Sequence, residues 1–92
     1  MPTIRAEPTP NPHSLKFTAS DGSFRDDGVA AFSSAAEAKD HPLASQLFSI
    51  GGVEDVFITP TFVTVSKDEA VDWSGPQPDI KTVLSDYLDA QD

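Results

Sequence analysis

The sequence predicts an α+β domain in which one antiparallel sheet carries its helices on a single face, in the order β-β-(β)-α-β-β-α. Three observations point there. Residues 53–67, VEDVFITPTFVTVSK, hold two runs rich in Val, Ile, Phe and Thr on either side of a Thr-Pro-Thr break. Such residues suit a pleated, half-buried surface, so the stretch reads as a hairpin. Near the C-terminus, Ile80, Val83, Leu84, Tyr87 and Leu88 recur at helical spacing. A parallel doubly wound sheet is disfavoured, because few strand–helix–strand units fit into 92 residues and no Gly-rich phosphate loop is present.

The first strand covers residues 3–7, with Ile4 and Ala6 on one side and Arg5 and Glu7 on the other. It is short and reads as an edge strand. Pro8, Pro10 and Pro12 then hold the chain extended, since each proline fixes its own φ and biases its predecessor away from helix. Residues 14–18 form the second strand, with Leu15 and Phe17 inward and Lys16 outward. The two strands are expected to pair across the proline loop. Residues 19–28 are a polar loop whose large apolar residue is Phe24, and residues 29–32 are a candidate third strand.

Ser34 and Glu37 have the spacing of a capping box, which predicts a short helix over residues 35–40. Pro42 stops it and opens another, in which Leu43, Leu47 and Ile50 share a face flanked by Ala44 and Phe48. Gly51 and Gly52 should end that helix, one of them as a left-handed cap.

In the hairpin, Pro60 cannot adopt the positive φ of a two-residue type I′ turn, which favours a four-residue loop over residues 59–62. Ile58 then faces Val63, Val56 faces Val65, and Phe57 and Phe62 point to the opposite side. A polar connection containing Val71 and Trp73 follows, and the last helix is expected to start near Gln77 with Pro78 as its first residue. Its apolar stripe should cover the Val56, Ile58, Val63, Val65 face.

Composition limits the chemistry. The 92 residues make one small domain with a modest core. They contain no cysteine, so they supply no disulfide, thiolate nucleophile, zinc–thiolate site or cysteine-held iron–sulfur cluster. The absence fits a reducing cytoplasm, and the acidic, proline-rich first residues look like neither a secretory signal nor a transit peptide. No stretch approaches the roughly 20 apolar residues of a membrane span. A formal charge of −9, from 15 acidic and 6 basic residues, argues against binding DNA or RNA through phosphates. The acids are spread along the chain, which favours a solubility role over one docking block.

Few residues could carry chemistry. His13 and His41 each lack a ligand partner at i+3 or i+4, and they read as a turn residue and a helix-start residue. The pairs Asp26-Asp27 and Asp68-Glu69 lack the EF-hand pattern and read as solvated loops. No serine sits in a nucleophile turn. Trp73 reads as a core residue closing the end of the sheet. Phe57, on the face away from the helices, is a candidate partner contact, as are Asn11 and His13 in the stiff, exposed TPNPHS loop.

Several stretches resemble, in order, the N-terminal domain of Nfu-type proteins, NifU-related iron–sulfur cluster scaffolds and carriers. They are TPNPHSLKF (residues 9–17), HPLASQLFSIGGVEDVFI (41–58), FVTVSK (62–67), DW (72–73) and PDIKTVLSDYL (78–88). The combination TPNPxSLKF…PLAxxLFxIxGVxxVFI is specific, and the likeness weakens over residues 19–38. Two positions depart from the family pattern: His13 stands where Asn is usual, and His41 where Ser is usual. In full-length members a second domain bears the C-x-x-C motif that holds the cluster. This chain is expected to act without that domain, so the resemblance implies an accessory role with no cofactor of its own. That role is non-enzymatic binding to proteins of iron–sulfur cluster biogenesis or their clients, by a monomer. The alternatives are a small ligand-binding protein or hydrolase using the loop from Thr9 to Ser14, and a structural adaptor unconnected with iron–sulfur chemistry.

Overall fold

The computed structural model describes residues 3–20, 22–24 and 28–90. Its elements follow in the order β1 (Ile4–Pro8), β2 (Ser14–Ala19), β3 (Ala30–Phe32), α1 (Ala35–Ala38), α2 (Pro42–Phe48), β4 (Val53–Ile58), β5 (Phe62–Lys67) and α3 (Pro76–Asp89). The strands form one antiparallel sheet ordered β1-β2-β5-β4-β3, so the fold is α+β as the patterning predicts. The C-terminal hairpin supplies two of the three inner strands, and β2 supplies the third.

Register follows the apolar alternation. Val56 stands opposite Val65, and Ile58 opposite Val63. On the other side of β5, Phe17 faces Val63 and Leu15 faces Val65. Phe17, Val56, Ile58, Val63 and Val65 are at most 1 % exposed. Leu43 and Leu47 of α2 and Ile80, Leu84 and Leu88 of α3 are buried in the same cluster. A one-residue slip would turn the whole apolar set to solvent, which is why this register is held. Phe24, in the loop before β3, is also buried there, a contribution that its polar neighbourhood hides.

Several local details differ from the sequence expectation. The β4–β5 connection is shorter than four residues, because Phe62 already belongs to β5 and pairs with Thr18. The hydroxyl of Thr59 accepts from the Phe62 amide at 3.0 Å and closes the turn. Helix α1 ends at Ala38 and not at residue 40. The Ser34 hydroxyl accepts from the Glu37 amide at 3.2 Å, as a capping box requires. The Glu37 carboxylate, however, reaches past Ser34 to the hydroxyl and amide of Ser33, at 2.8 and 2.9 Å. Those two donors hold its pKa below the usual carboxylate range.

Helix α2 is capped by His41, whose Nδ1 accepts from the Ala44 amide at 3.2 Å, with Pro42 in the first turn. Ile50 lies just beyond the helix, half-buried, because Ser49 is the C-cap. Gly52 has the left-handed backbone, φ +96°, but it serves the turn into β4 and not the helix end. There the Val53 amide donates to the Ile50 carbonyl at 3.3 Å. A Cβ at Gly52 would also lie 3.0 Å from both γ-carbons of Val71, so conformation and space both demand glycine. Helix α3 starts at Pro76, ahead of the expected Pro78, with Pro76 itself buried.

The strand β3 is three residues long and is the outermost strand beside β4 among the described residues. Residues 25–27, including the Asp26-Asp27 pair, lie outside the described residues.

Candidate functional site

The loop between β1 and β2 is held by its own polar groups. The Asn11 carboxamide oxygen accepts from the His13 amide at 2.9 Å. The Thr9 hydroxyl accepts from the Asn11 amide at 3.1 Å and lies 2.9 Å from the Asn11 carbonyl. The Ser14 amide donates to that same carbonyl at 3.0 Å. Farther along the chain, Trp73 Nε1 donates to the Pro12 carbonyl at 3.2 Å, and the Lys67 amide donates to the His13 carbonyl at 2.9 Å. Asn11 is exposed, yet its side chain is an internal brace of the loop, so it has a structural duty that sequence position alone does not reveal.

His13 is half-buried, with its side chain 42 % accessible. Its Nε2 lies 3.9 Å from the Glu69 carboxylate, while Nδ1 is shielded from solvent without a protein partner. Asn11, His13, Glu54, Asp55, Ser66 and Glu69 are among the residues lining an open, polar hollow of about 430 Å³. Glu54 and Asp55 reach it through a β-bulge. Val53 pairs with Lys67 and Asp55 with Ser66, so Glu54 is the extra residue. The bulge exposes both acids while Val53 and Val56 stay on the core side.

Phe57 lies on the sheet face away from the helices, 37 % exposed. Its ring centroid is 6.4 Å from that of Phe62, and Lys16 Nζ lies 4.8 Å from the Phe62 ring centroid on the far side. A second hollow, of about 270 Å³, runs from Ala31 and Ser33 over Phe57 to Asp55, Thr64 and Ser66. Asp55 and Ser66 line both hollows. The sheet thus brings Asn11, His13 and Phe57, far apart in sequence, onto neighbouring parts of one surface.

The remaining candidates fall into structural places. His41 caps α2, and its ring meets Phe32 edge-on at 5.2 Å. Asp68 accepts from the Ala70 amide at 2.9 Å and shapes a turn. Trp73 is half-buried and meets Phe17 edge-on at 6.5 Å, at the end of the sheet. Among the described residues, no three His, Asp or Glu side chains converge as a metal site requires. Lys67, which was not singled out from the sequence, is only 7 % exposed. Its Nζ lies 5.7 Å from the Trp73 ring centroid and donates to the Asp68 carbonyl at 3.4 Å. The signal for it was the alternation Val63, Val65, Lys67, which puts it on the core face.

Residues 4–91 match the family described as scaffold protein Nfu/NifU N terminal. The chain belongs to this family. It is 41% identical over 86 residues to the human NFU1 iron-sulfur cluster scaffold homolog, mitochondrial, covering 92% of this chain and 34% of that protein. The homolog of the same name from Drosophila willistoni is 38% identical over 85 residues, covering 92% of this chain and 29% of that protein. The chain therefore spans about a third of the length of the curated relatives it matches. Among solved structures, the NifU-like protein of Saccharomyces cerevisiae superimposes with a TM-score of 0.83 at 30% identity, over 98% of this chain and 81% of that one. A Staphylococcus aureus protein shares the fold, with a TM-score of 0.74 at 21% identity, over 91% of this chain and 99% of that one.

Among the described residues, no helix is long and apolar enough to cross a membrane. Within the family's fold, His13 keeps the loop position, and His41 performs the capping that a serine would perform.

Proposed function

We propose that this Nfu/NifU N-terminal domain is a non-catalytic, partner-binding module in iron–sulfur cluster assembly or delivery, and that it does not itself ligate a cluster. The observation that carries the reading is the match of residues 4–91 to the N-terminal scaffold domain. The curated relatives bear the name iron-sulfur cluster scaffold homolog, and the 92 residues here contain no thiolate to hold a cluster. The contact surface in this reading is the bare sheet face around Phe57 together with the loop that carries Asn11 and His13. An exposed aromatic beside an open hollow of mixed polar and apolar lining suits protein contact better than small-molecule capture.

A monomer working in the cytoplasm completes the proposal. The relatives are named mitochondrial, so fractionation of the source cell tests the compartment, and light scattering tests the oligomeric state.

Co-purification of the untagged chain from its own cell is the central test. Recovery of cluster-assembly proteins or their clients is the expected result, with binding weakened by His13→Ala and by Phe57→Ala at unchanged melting temperature. Asn11→Ala is a poorer probe, because it removes the brace on the His13 amide. Recovery of a bound metabolite in place of proteins would overturn the proposal. Reconstitution with iron and sulfide should leave no visible absorption after desalting. A stoichiometric cluster in the isolated chain would refute the non-ligating role.

A further inference from the structure

The two edges of the sheet are built differently. The β1 edge ends in Pro8, whose nitrogen cannot donate to an added strand. The β3 edge has no proline, and among the described residues no strand lies beyond it. The exposed large hydrophobic residues of the described chain, Val29 at 60 % and Phe57 at 37 %, both lie toward this side of the sheet. Val29 immediately precedes β3, and Phe57 stands opposite Ala31 of β3. A methyl group is all that Ala31 presents, so the Phe57 ring stays reachable over it from outside the sheet.

The strand β3 stops at Phe32 while β4 continues back to Val53. At that end the bulge turns Glu54 and Asp55 outward, and Asp55 lines the hollow that also includes Ala31, Ser33 and Phe57. A short edge strand, a bulge and two carboxylates are devices that blunt an edge against pairing with identical chains. Against a second copy of this acidic chain they repel. Against a segment of opposite charge the same carboxylates attract, and the apolar pair Val29 and Phe57 remains to be covered.

We infer that the outer edge of β3 accepts an extended, basic–apolar segment of a partner protein as an added strand. Backbone hydrogen bonds to Ala30–Phe32 would hold it. Its apolar side chains would lie over Ala31 against Phe57, and a lysine or arginine would meet Asp55 and Glu54. The inference rests on the partner-binding reading above and names the partner's chemistry.

The test uses the 92-residue chain, ¹⁵N-labelled, titrated with a capped peptide of about six residues, roughly the span of a typical strand, whose one face carries valines followed by a lysine and whose other face carries threonines. Amide shifts should concentrate at Ala31, Phe32, Ser33, Asp55 and Phe57. Phe57→Ala should weaken binding by about tenfold or more, as loss of an aromatic anchor does. The pair Glu54→Gln with Asp55→Asn should weaken it and flatten its salt dependence, and the spectrum of each variant reports whether it is folded. The same peptide with glutamate in place of the lysine should not bind. N-methylation at alternate residues, made in both phases, should abolish binding in one phase by removing the amides that face β3. Binding that survives both methylated forms, shifts centred elsewhere, or no shift at millimolar peptide would overturn the inference. If cluster-assembly proteins co-purify while the peptide misses this edge, strand addition falls and the functional proposal stands. If the peptide adds here while no such proteins are recovered, the edge inference stands and the functional proposal falls.

Discussion

The indole of Trp73 donates from Nε1 to the carbonyl of Pro12 at 3.2 Å and so fastens the proline loop to the connection that leads into α3. Sixty-one positions separate the two residues. The same ring meets Phe17 edge-on, so a single side chain joins core and loop. Trp73→Phe keeps an aromatic ring and removes the donor. The expected cost is about 1 kcal/mol, the usual net worth of one hydrogen bond. A lower denaturant midpoint with an unchanged slope is the check. An unchanged midpoint would mean that the loop is fixed by its own hydrogen bonds alone.

Leu84 is fully buried at the middle of the stripe that α3 lays on the sheet. Leu84→Ala should destabilise by about 2–5 kcal/mol through lost apolar burial and the cavity left behind. Tyr87→Ala, at a half-buried position of the same helix, should cost less. Equilibrium denaturation of both variants orders the two effects, and the reverse order would misassign the helix face.

Gly52→Ala faces two obstacles, a φ of +96° and the 3.0 Å approach to Val71. Forcing alanine into a left-handed site costs more than the roughly 0.4–1 kcal/mol that such a change gains at a compatible site. Adding Val71→Ala should recover the steric part and leave the conformational part. A double-mutant cycle on thermal midpoints measures the split. Full recovery would show that space alone demands glycine.

His41 caps α2 with Nδ1, at a helix start where serine is among the preferred residues. His41→Ala should cost about 0.5–2 kcal/mol, the range for a lost N-cap. His41→Ser should restore most of that through its hydroxyl, while losing the edge-on contact with Phe32. Urea midpoints compare the three proteins. Equal loss in both variants would assign the effect to the ring contact and not to the cap.

Much of this fold was legible in the sequence because it is written at short range. The hairpin register, Ile58 against Val63 and Val56 against Val65, follows from period-two alternation about one turn. The buried face of α3 follows from period 3.6, and the pairing of β1 with β2 follows from a proline loop joining two short strands. Candidate residues were legible in the same way: Phe57 as an apolar residue on the outward phase of a strand, and Asn11 and His13 as polar residues in a rigid loop. Local pattern could not say what each touches. The bulge at Glu54, the place of β3 beside β4, the burial of Phe24 and the reach of Trp73 to Pro12 all depend on contacts distant in sequence. Periodicity fixes which way a side chain points along its own element. Only the assembled sheet decides which strand becomes its neighbour, which edge is left open, and that Asp55 and Ser66 connect the loop of His13 with the face of Phe57.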